Sequence, residues 1–406
     1  MSAGSGSLTP FRAPAWVVIA AGVAAALHVA KLAPALPVWR QEFGLSLAQA
    51  GWLLSTVQAA GMGLGALMGG VADAWGLRRC ALSGLLLLSA ASALAPAVDA
   101  VLALLALRAL EGLGFLLATM PAAGLVRRHV PAQGLALMLG VWGCYMPLAT
   151  ALALLLGPWV LSHGSWAAWW WLAAAATAAM AGLLAWVVPV DPVPDRGAAQ
   201  AGAGWLAPLW GRLRRTWSAP GPWLVAAAFA LYSGQWLAVI GFLPSMLSAE
   251  AWSPAQAAWL MAALAGVNML GNLASGALQH RGVSPGRLLG LGFACMALGA
   301  WLAFQSFWPL SFELRMGGVL VFSLVGGVIP GTLFSQAVRV APDEGCISTT
   351  VGWMQQCSSL GQFLGPPVVG ALAAWSGGWQ WTWVFTGVCS ALGLGVAWAL
   401  PRLHPR

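Results

Sequence analysis

The sequence predicts an all-α membrane protein with twelve transmembrane helices in two pseudo-symmetric six-helix bundles. The first observation behind this prediction is composition: the 406 residues are 60% hydrophobic and only 7% charged. About a quarter of the residues of a soluble domain are charged, so lipid is the solvent that suits this surface. In lipid every backbone polar group must be paired internally, which leaves helices or a closed barrel. The apolar runs are about twenty residues long and do not alternate with polar residues, which favours helices.

The second observation is an internal repeat with an offset of 207 residues, about half the chain. The hexapeptide AQAGWL at 48–53 returns as AQAAWL at 255–260, Leu36-Pro37 returns as Leu243-Pro244, and Gly69 returns as Gly276. Two copies of one apolar unit with a cleft between them are typical of secondary transporters.

In chain order, the apolar runs predict helices at about 15–38, 48–72, 80–97, 100–126, 134–161, 166–188, 221–247, 254–279, 288–306, 312–340, 347–375 and 380–400. Residues 1–190 are expected to form the first bundle, 191–220 a cytoplasmic linker, and 221–406 the second bundle. The linker is the one long hydrophilic break. Five apolar residues in it predict either an amphipathic interfacial helix or part of a tether: Trp205, Leu206, Leu209, Trp210 and Leu213.

The loops between these helices predict the orientation. With both termini in the cytoplasm, fourteen of the eighteen Lys and Arg residues fall in cytoplasmic segments, and only Arg40 and Arg315 fall in outer loops. Positive residues mark the cytoplasmic side. Because the basic residues are spread over short loops, the net charge of +8 does not indicate a nucleic-acid partner. Heavy use of Ala and Arg with one lysine favours a GC-rich bacterial genome, and hence the bacterial inner membrane.

Two groups of tryptophans lie at predicted outer helix ends. Indole side chains collect at headgroup depth, so both groups are predicted to be lipid anchors. They are Trp166, Trp169, Trp170 and Trp171, and Trp375, Trp379, Trp381 and Trp383.

Three short motifs lie in or beside the predicted helices. Residues 69–79 read GGVADAWGLRR between helices two and three, residues 108–114 read RALEGLG in helix four, and residues 361–367 read GQFLGPP in helix eleven. The first resembles the loop motif of the major facilitator superfamily, G-x-L-A-D-R-x-G-R-[KR]-[KR], with Ala74 and Leu77 in place of two arginines. The second resembles the R-x-x-Q-G-x-G of that family. The resemblance covers essentially the whole chain and implies this family's fold.

Two further patterns concern the direction of transport and the subgroup. The G-x-x-x-G-P-x-x-G-G signature of drug-exporting members is absent from helix five, which favours uptake over drug efflux. Residues 34–37, 140–147 and 354–356 look similar to the cyanate-permease-like group.

The loop between helices two and three predicts a conformational latch made of Gly69, Asp73, Gly76, Arg78 and Arg79. We expect Asp73 to lie near Ser348, at the N-terminus of helix eleven, where free N–H groups and the helix dipole favour an anion. Such a contact has to break when the two halves rock, and the family resemblance implies the same role. The alternative is that Asp73 only ends a helix and stays solvated.

Charged residues inside apolar runs are costly and therefore informative. His28 and Lys31 share one face of helix one, and Arg108 and Glu111 share one face of helix four. One hypothesis is a structural ion pair of Glu111 with Arg108, with Lys31 snorkelling outward. The other is that two cations against one acid attract a small anion, so that His28, Lys31 and Arg108 bind substrate. Glu111 or His28 would then carry the coupling proton.

The second half offers neutral hydrogen-bonding groups instead. The residues predicted to contact substrate are Tyr145 in the first half and Tyr232, Gln235, Asn268, Trp353 and Gln356 in the second. Each amide is equally consistent with a bond between helices.

The sequence therefore predicts a secondary active transporter that works by alternating access, with proton-coupled uptake of a small organic or inorganic anion favoured. A drug or metabolite exporter of the same fold is the alternative within this class. A membrane-embedded sensor is the alternative outside it. An enzyme would need a nucleophile–base pair or metal ligands, and the six cysteines are scattered singly. No cofactor or metal is predicted, and the expected partners are a small-molecule substrate, protons and the lipid bilayer around a monomer.

Overall fold

The computed structural model describes residues 13–191, 206–247 and 253–402. Every regular element within these ranges is a helix, which confirms the all-α prediction. Twelve long helical segments follow one another, and a shorter linker helix, Leu206–Ser218, lies between the sixth and the seventh. The twelve are α1 (Ala13–Ala30 and Leu32–Glu42), α2 (Leu47–Thr56 and Ala59–Trp75), α3 (Leu77–Leu94), α4 (Val101–Thr119 and Ala122–His129), α5 (Ala132–Gly143 and Tyr145–His163), α6 (Trp166–Val187), α7 (Pro220–Leu247), α8 (Pro254–Gly266 and Asn268–His280), α9 (Pro285–Phe304), α10 (Phe312–Gly326 and Val328–Val340), α11 (Ile347–Ser376) and α12 (Thr382–Ala399).

Three of the broken helices are interrupted four residues before a proline. The first parts of α1, α5 and α10 end at Ala30, Gly143 and Gly326, and Pro34, Pro147 and Pro330 follow at i+4. Proline has no N–H, so the carbonyl four residues earlier loses its helical partner. The end of the first part of α4 at Thr119 and that of α10 at Gly326 are 207 residues apart, which is the offset of the sequence repeat.

Ten of the helical segments are long and apolar enough to cross a membrane. The other two are α2 and α11. The break at Val57 and Gln58 divides α2 into two shorter helices. The 30 residues of α11 are long enough, but glutamines, serines and glycines make this helix more polar than the rest.

We call the end of the molecule that carries the linker helix the linker side, and the opposite end the far side. On the far side the two halves share one hydrophobic core, in which Leu36 and Leu54 of the first half join Val239 and Phe242 of the second. At Gly51 the approach of α2 to α11 is so close that a Cβ atom would lie 2.6 Å from the carbonyl oxygen of Pro366. The far side is therefore closed by direct packing between the halves.

The linker helix packs on the protein through its apolar face. Leu209 and Leu213 are buried against Ala66 of α2, beside Trp217 and Trp353. The guanidinium of Arg215 lies 2.8 Å from the carboxylate of Asp343 in the second half. Of the two alternatives for this segment, an amphipathic helix forms, and its apolar face covers protein. Trp205 lies outside the described residues, as does the side chain of Leu206.

The prediction of tryptophan anchors is wrong for two residues of the first group. Trp169 and Trp170 are only 1% and 0% exposed. Trp170 stacks on Trp39 at a ring distance of 4.8 Å, and the indole N–H of Trp169 donates to the carbonyl of Lys31 at 2.9 Å. These two rings belong to the core because they face α1 across the bundle. Trp171 and Trp375, in contrast, are largely exposed on the helix surface.

Candidate functional site

A cavity lies between the two halves, and its space measures about 590 Å³ when open solvent is included. A second space, about 340 Å³ on the same measure, adjoins it and shares Tyr145, Met146, Gln355, Ser358 and Gln362. Three predicted substrate contacts, Tyr145, Tyr232 and Asn268, line the larger cavity. The polar lining residues that were not among the predicted contacts are Gln58, Thr119, Ser233, Asn272, Gln355, Ser358, Ser359 and Gln362. Lone amides in apolar helices are a weak sequence signal for such positions.

The cavity has an aromatic wall on each side. In the first half Tyr145 stacks on Trp142 at 4.4 Å and faces Phe115 at 6.5 Å between ring centres. In the second half Tyr232 stacks with Phe229 at 6.2 Å, and Phe334 meets Phe229 edge-on at 5.7 Å. Each wall thus holds its tyrosine against a second ring.

The polar groups at the cavity differ in whether they already have partners. Tyr232 and Asn268 bond to each other, and the amide of Asn268 also donates to the carbonyl of Ser323 at 2.8 Å. In the part of the chain that the structure describes, the hydroxyl of Tyr145 and the amide of Gln355 have no protein hydrogen-bond partner. These two groups are available to a solute.

Two glutamines of α11 form hydrogen bonds to α2 and so join the two halves. Gln356 does so on the linker side of the cavity, and Gln362 does so at the cavity wall. The amide of Gln356 donates to the carbonyl of Met62 at 2.7 Å and accepts from the backbone N–H of Ala66 at 2.9 Å. The amide of Gln58 donates to Gln362 at 3.0 Å. Gln356, predicted as a substrate contact, therefore bridges α2 and α11.

The charged residues predicted in the first half form one buried cluster around Glu111. The ammonium of Lys31 lies 2.5 Å from Oε1 of Glu111, and Nη1 of Arg108 lies 2.6 Å from Oε2. Arg108 also donates to the carbonyl of His28 at 2.6 Å. All four side chains are essentially inaccessible to solvent. Sequence reasoning brought these residues together correctly, although Lys31 turns inward to the carboxylate and does not snorkel.

Nδ1 of His28 lies 3.4 Å from Oε1 of Glu111 and also close to Lys31, and for a neutral ring beside a charged lysine these contacts favour one tautomer. The ammonium of Lys31 can only donate, so Nδ1 of His28, 3.2 Å away, accepts. Nε2 then carries the proton and donates to the hydroxyl of Thr177 at 2.8 Å. Lys31 also donates to Ser92 at 2.6 Å. Ser92 and Thr177 were missed at the sequence level, because isolated hydroxyls in apolar helices usually bond to their own backbone.

The cluster carries an excess positive charge. Lys31 and Arg108 contribute two positive charges, Glu111 contributes one negative charge, and neutral His28 contributes none. Nε and Nη2 of Arg108 are buried and have no hydrogen-bond partner among the described residues. Buried polar groups are nearly always paired, so these nitrogens are candidate donors to an anion.

The cluster lies beside the cavity and not in its wall. None of His28, Lys31, Arg108 and Glu111 is among the residues that line the two spaces. Phe115, which lines the smaller space, follows Glu111 by four residues on the same face of α4, about 6 Å further along the helix axis. The excess charge therefore lies about one helical turn from the smaller space, which adjoins the larger cavity. The substrate-binding and proton-coupling roles of these four residues stay predictions.

Gln235 and Trp353, two other predicted substrate contacts, lie away from the cavity. Gln235 donates to the carbonyl of Leu231 at 3.1 Å and accepts from Ser390 at 3.2 Å, both within the second half. Trp353 packs edge-on against Trp217 of the linker helix at 5.6 Å. Their contact with substrate stays a prediction.

Three of the predicted latch residues, Gly76, Arg78 and Arg79, lie on the linker side beside a carboxylate that was not predicted. Asp191 accepts from the backbone N–H groups of Arg78 and Arg79 at 3.0 and 3.1 Å, at the start of α3. It also pairs with Arg128 of α4 at 2.9 Å. Gly76 has a φ of +106°, which glycine tolerates best. All these contacts lie within the first half.

Gly69 and Asp73 fall at positions of α2 whose surroundings are outside the description. The proposed contact of Asp73 with the N-terminus of α11 therefore stays a prediction. The same holds for the latch role of the whole loop.

Comparisons with known proteins agree with this architecture. The model of the Major Facilitator Superfamily matches residues 17–345. A solved bacterial homolog of the human lysosomal transporter Spinster, inward-facing and unoccupied, superimposes with a TM-score of 0.74 at 17% identity over 98% of each chain. Its inward-facing, occupied form gives a TM-score of 0.74 at 15% identity over 96% of each chain.

At such identities the structural likeness shows the fold alone. No curated protein sequence matches, and the resemblance to the cyanate-permease-like group is not confirmed. The family match covers about four fifths of the sequence. Together with the apolar helices, this match makes the chain a multi-pass membrane protein. The chain belongs to the major facilitator superfamily.

Proposed function

We propose that this chain is a secondary active transporter that moves a small anion through the central cavity by alternating access, together with a proton. The family supports transport in general. The proposed setting is the bacterial inner membrane, with the linker side and both termini in the cytoplasm, because the positive loops favour that side. The proposed working form is a monomer, since one chain supplies both walls of the cavity.

The observation that carries the anion is the buried cluster with one excess positive charge. An uncompensated charge in a membrane interior is costly, and the two unpaired nitrogens of Arg108 are suited to an anionic acceptor. Two unit charges about 10 Å apart attract one another by about 1.7 kcal/mol at an effective dielectric constant of about 20. A charge of this size beside the cavity favours anions over cations there.

Coupling to a proton follows from the same balance of charge. A proton taken up by Glu111 or His28 raises the excess from one to two positive charges. A monovalent anion that binds at the same time restores the earlier balance. Proton and anion therefore stabilise one another, and this mutual stabilisation makes symport the expected mode.

The halves have to exchange contacts for the cavity to open to each side in turn. In the present conformation the far side is closed by the shared core around Leu54 and Phe242. On the linker side the halves are joined by the bonds of Gln356 to α2. We propose that these two sets of contacts break alternately.

Uptake into proteoliposomes tests the proposal. The probes are radiolabelled methanesulfonate and benzenesulfonate, which stay ionised and do not cross lipid as neutral acids. We expect an inward proton gradient to accelerate uptake. Arg108→Gln should abolish uptake while folded protein remains in the membrane. Arg287→Gln, at an exposed position in the first turn of α9, is the matched control and should transport normally. Tracer movement that ignores the proton gradient would rule out symport, and normal uptake by Arg108→Gln would rule out the anion site.

A second candidate function is export of an uncharged drug or metabolite. The observation in its favour is that no charged side chain is among the residues that line the two spaces. Under this alternative, Arg108→Gln would affect stability and leave transport of a neutral solute unchanged. The same pair of variants therefore separates the two functions.

A further inference from the structure

Each aromatic wall of the cavity contains a pair of stacked rings. Tyr145 lies nearly parallel to Trp142, with an interplanar angle of 11°, and Trp142 is itself buried. Across the cavity, Tyr232 lies at 17° to Phe229. Since each ring is held by a second ring, neither tyrosine has to give up much freedom when a solute binds. Preorganised flat surfaces favour flat ligands.

Hydrogen-bonding groups without partners lie at the edge of these walls. Tyr145 and Gln355 border both the larger cavity and the adjoining space, and neither has a described protein partner. The tyrosine hydroxyl can donate or accept, and the glutamine amide offers two donors and one acceptor. The site thus combines apolar faces with a polar edge. These surfaces are complementary to a planar ring that carries a polar substituent.

From these contacts we propose that the cavity selects a planar conjugated ring that carries one negative group. The ring lies against Tyr145 on one side and the Tyr232–Phe229 wall on the other. The hydroxyl of Tyr145 and the amide of Gln355 bond to the polar substituent. This inference rests on the proposed transport of an anion and adds the shape of its organic part.

The sign of the charge follows from the surroundings of the aromatic walls. Aromatic faces attract cations as well as flat rings. A cation, however, would be repelled by the excess positive charge of the Lys31–Arg108–Glu111 cluster, which lies about one helical turn from the adjoining smaller space, and no carboxylate is among the lining residues. Anionic rings gain from both features, so a planar anion is favoured over a planar cation.

Binding to the purified full chain in detergent, measured by isothermal titration calorimetry, tests ring and charge separately. Four probes of similar size form the test: benzoate, cyclohexanecarboxylate, benzamide and cyclohexanecarboxamide. We expect benzoate to bind about tenfold more tightly than cyclohexanecarboxylate, as two stacking contacts would give. We also expect it to bind more tightly than benzamide.

The outcomes distinguish the two proposals. Equal affinity for benzoate and cyclohexanecarboxylate, with both above the amides, overturns the ring inference and leaves the anion function standing. Equal affinity for benzoate and benzamide overturns the anion function and leaves the ring inference standing. Absence of binding by all four probes overturns both.

Variants of the wall locate the effect. Tyr145→Leu should remove the preference for benzoate over cyclohexanecarboxylate, whereas Tyr145→Phe should keep the ring preference and weaken both carboxylates. Phe307→Leu, at an exposed ring outside the cavity, is the control and should bind all probes as the parent does. If Tyr145→Leu does not fold, Tyr145→Phe remains decisive, because loss of its ring preference would overturn the stacking geometry.

Discussion

Glu111 is the residue on which the charge balance of the first half depends. Its carboxylate contacts Lys31 through one oxygen and Arg108 through the other. Removal of one partner from a buried ion pair is strongly destabilising, because the remaining charge is left without compensation. Glu111 therefore has a structural effect that can be measured independently of transport.

Glu111→Gln should lower the free energy of unfolding by about 3–5 kcal/mol, since two buried cations then face one another. Adding Lys31→Met to this variant restores a single excess charge and should recover a large part of the loss. Unfolding by SDS titration in mixed micelles measures both changes.

The control for this pair is Glu313→Gln, which removes an exposed carboxylate at the start of α10. It should change stability by less than about 0.5 kcal/mol. A Glu111→Gln protein as stable as the parent, or a double variant less stable than Glu111→Gln, would contradict this account of the cluster.

At this scale the sequence predicted that the charged residues of the first half meet, although none of them lines the cavity, and it did not decide which neutral residues do. Lys31, Arg108 and Glu111 stand out because a charge in an apolar run has few places to go. An amide such as that of Gln356 or Gln58 can pack inside the protein, form a hydrogen bond between two helices or contact a ligand. Its position in the sequence does not show which of these it does. The sequence places Asp191 at the start of the linker and gives no sign of its partners, because Arg78 and Arg128 are distant along the chain.

Among the elements, the contact between α2 and α11 couples the halves on the linker side. Gln356 bonds to the carbonyl of Met62 and the N–H of Ala66, which lie four residues apart within the helix Ala59–Trp75 and can pair with each other. Gln356→Leu should therefore leave no buried backbone group unpaired. It should weaken the closure and leave the fold stable.

A reporter cysteine measures this loosening. Ser359→Cys, at the cavity wall, in a background without the six native cysteines, should react several-fold faster with N-ethylmaleimide when Gln356→Leu is present. Gln279→Leu is the matched control, because Gln279 bonds only within the second half, to Ser275 and Ser335. Equal labelling rates in the two variants would show that Gln356 does not hold the halves together.

The pairing of α7 with α11 depends on the absence of side chains. A Cβ atom at Gly361 would lie 2.1 Å from the carbonyl oxygen of Ala230, so Gly361→Ala should push the helices apart and cost about 1–3 kcal/mol or more. Gly182→Ala in α6, where space is open, should stabilise the protein slightly through helix propensity. SDS titration of the two variants checks the opposite signs, and a stable Gly361→Ala protein would contradict the close packing.

The helices themselves were predicted well, and their interruptions less so. The prolines at 34, 147 and 330 each mark a break four residues earlier, so these breaks were open to prediction. The end of the first part of α8 at Gly266 has no proline at i+4, and the proline pair inside α11 does not interrupt it. Tertiary packing decides these cases, and composition alone does not encode it.

For the molecule as a whole, alternating access requires the far side to open. Leu54 of α2 lies beside Gly241 of α7. A Cβ atom on Gly241 would be 3.5 Å from Cδ1 of Leu54. Leu54→Cys with Gly241→Cys, joined by a short thiol cross-linker in a background without native cysteines, should block uptake. Each single cysteine variant, treated in the same way, should transport normally. Undiminished uptake by the cross-linked protein would mean that the halves do not separate there.

The overall architecture could be predicted from the sequence, because the internal repeat and the hydropathy pattern both extend over the whole chain. The identity of the solute was not, because it depends on which side chains the two halves bring together. Tyr145 and Tyr232 are 87 residues apart along the chain, and only the folded interface makes them opposite walls.

Asp191 attaches the start of the linker between the halves to the first bundle. One carboxylate ties the first turn of α3 to Arg128 at the end of α4, just after α6 ends at Val187. Because this carboxylate joins α3, α4 and the chain just after α6, we expect the start of the linker to move together with the first bundle when the two halves rock.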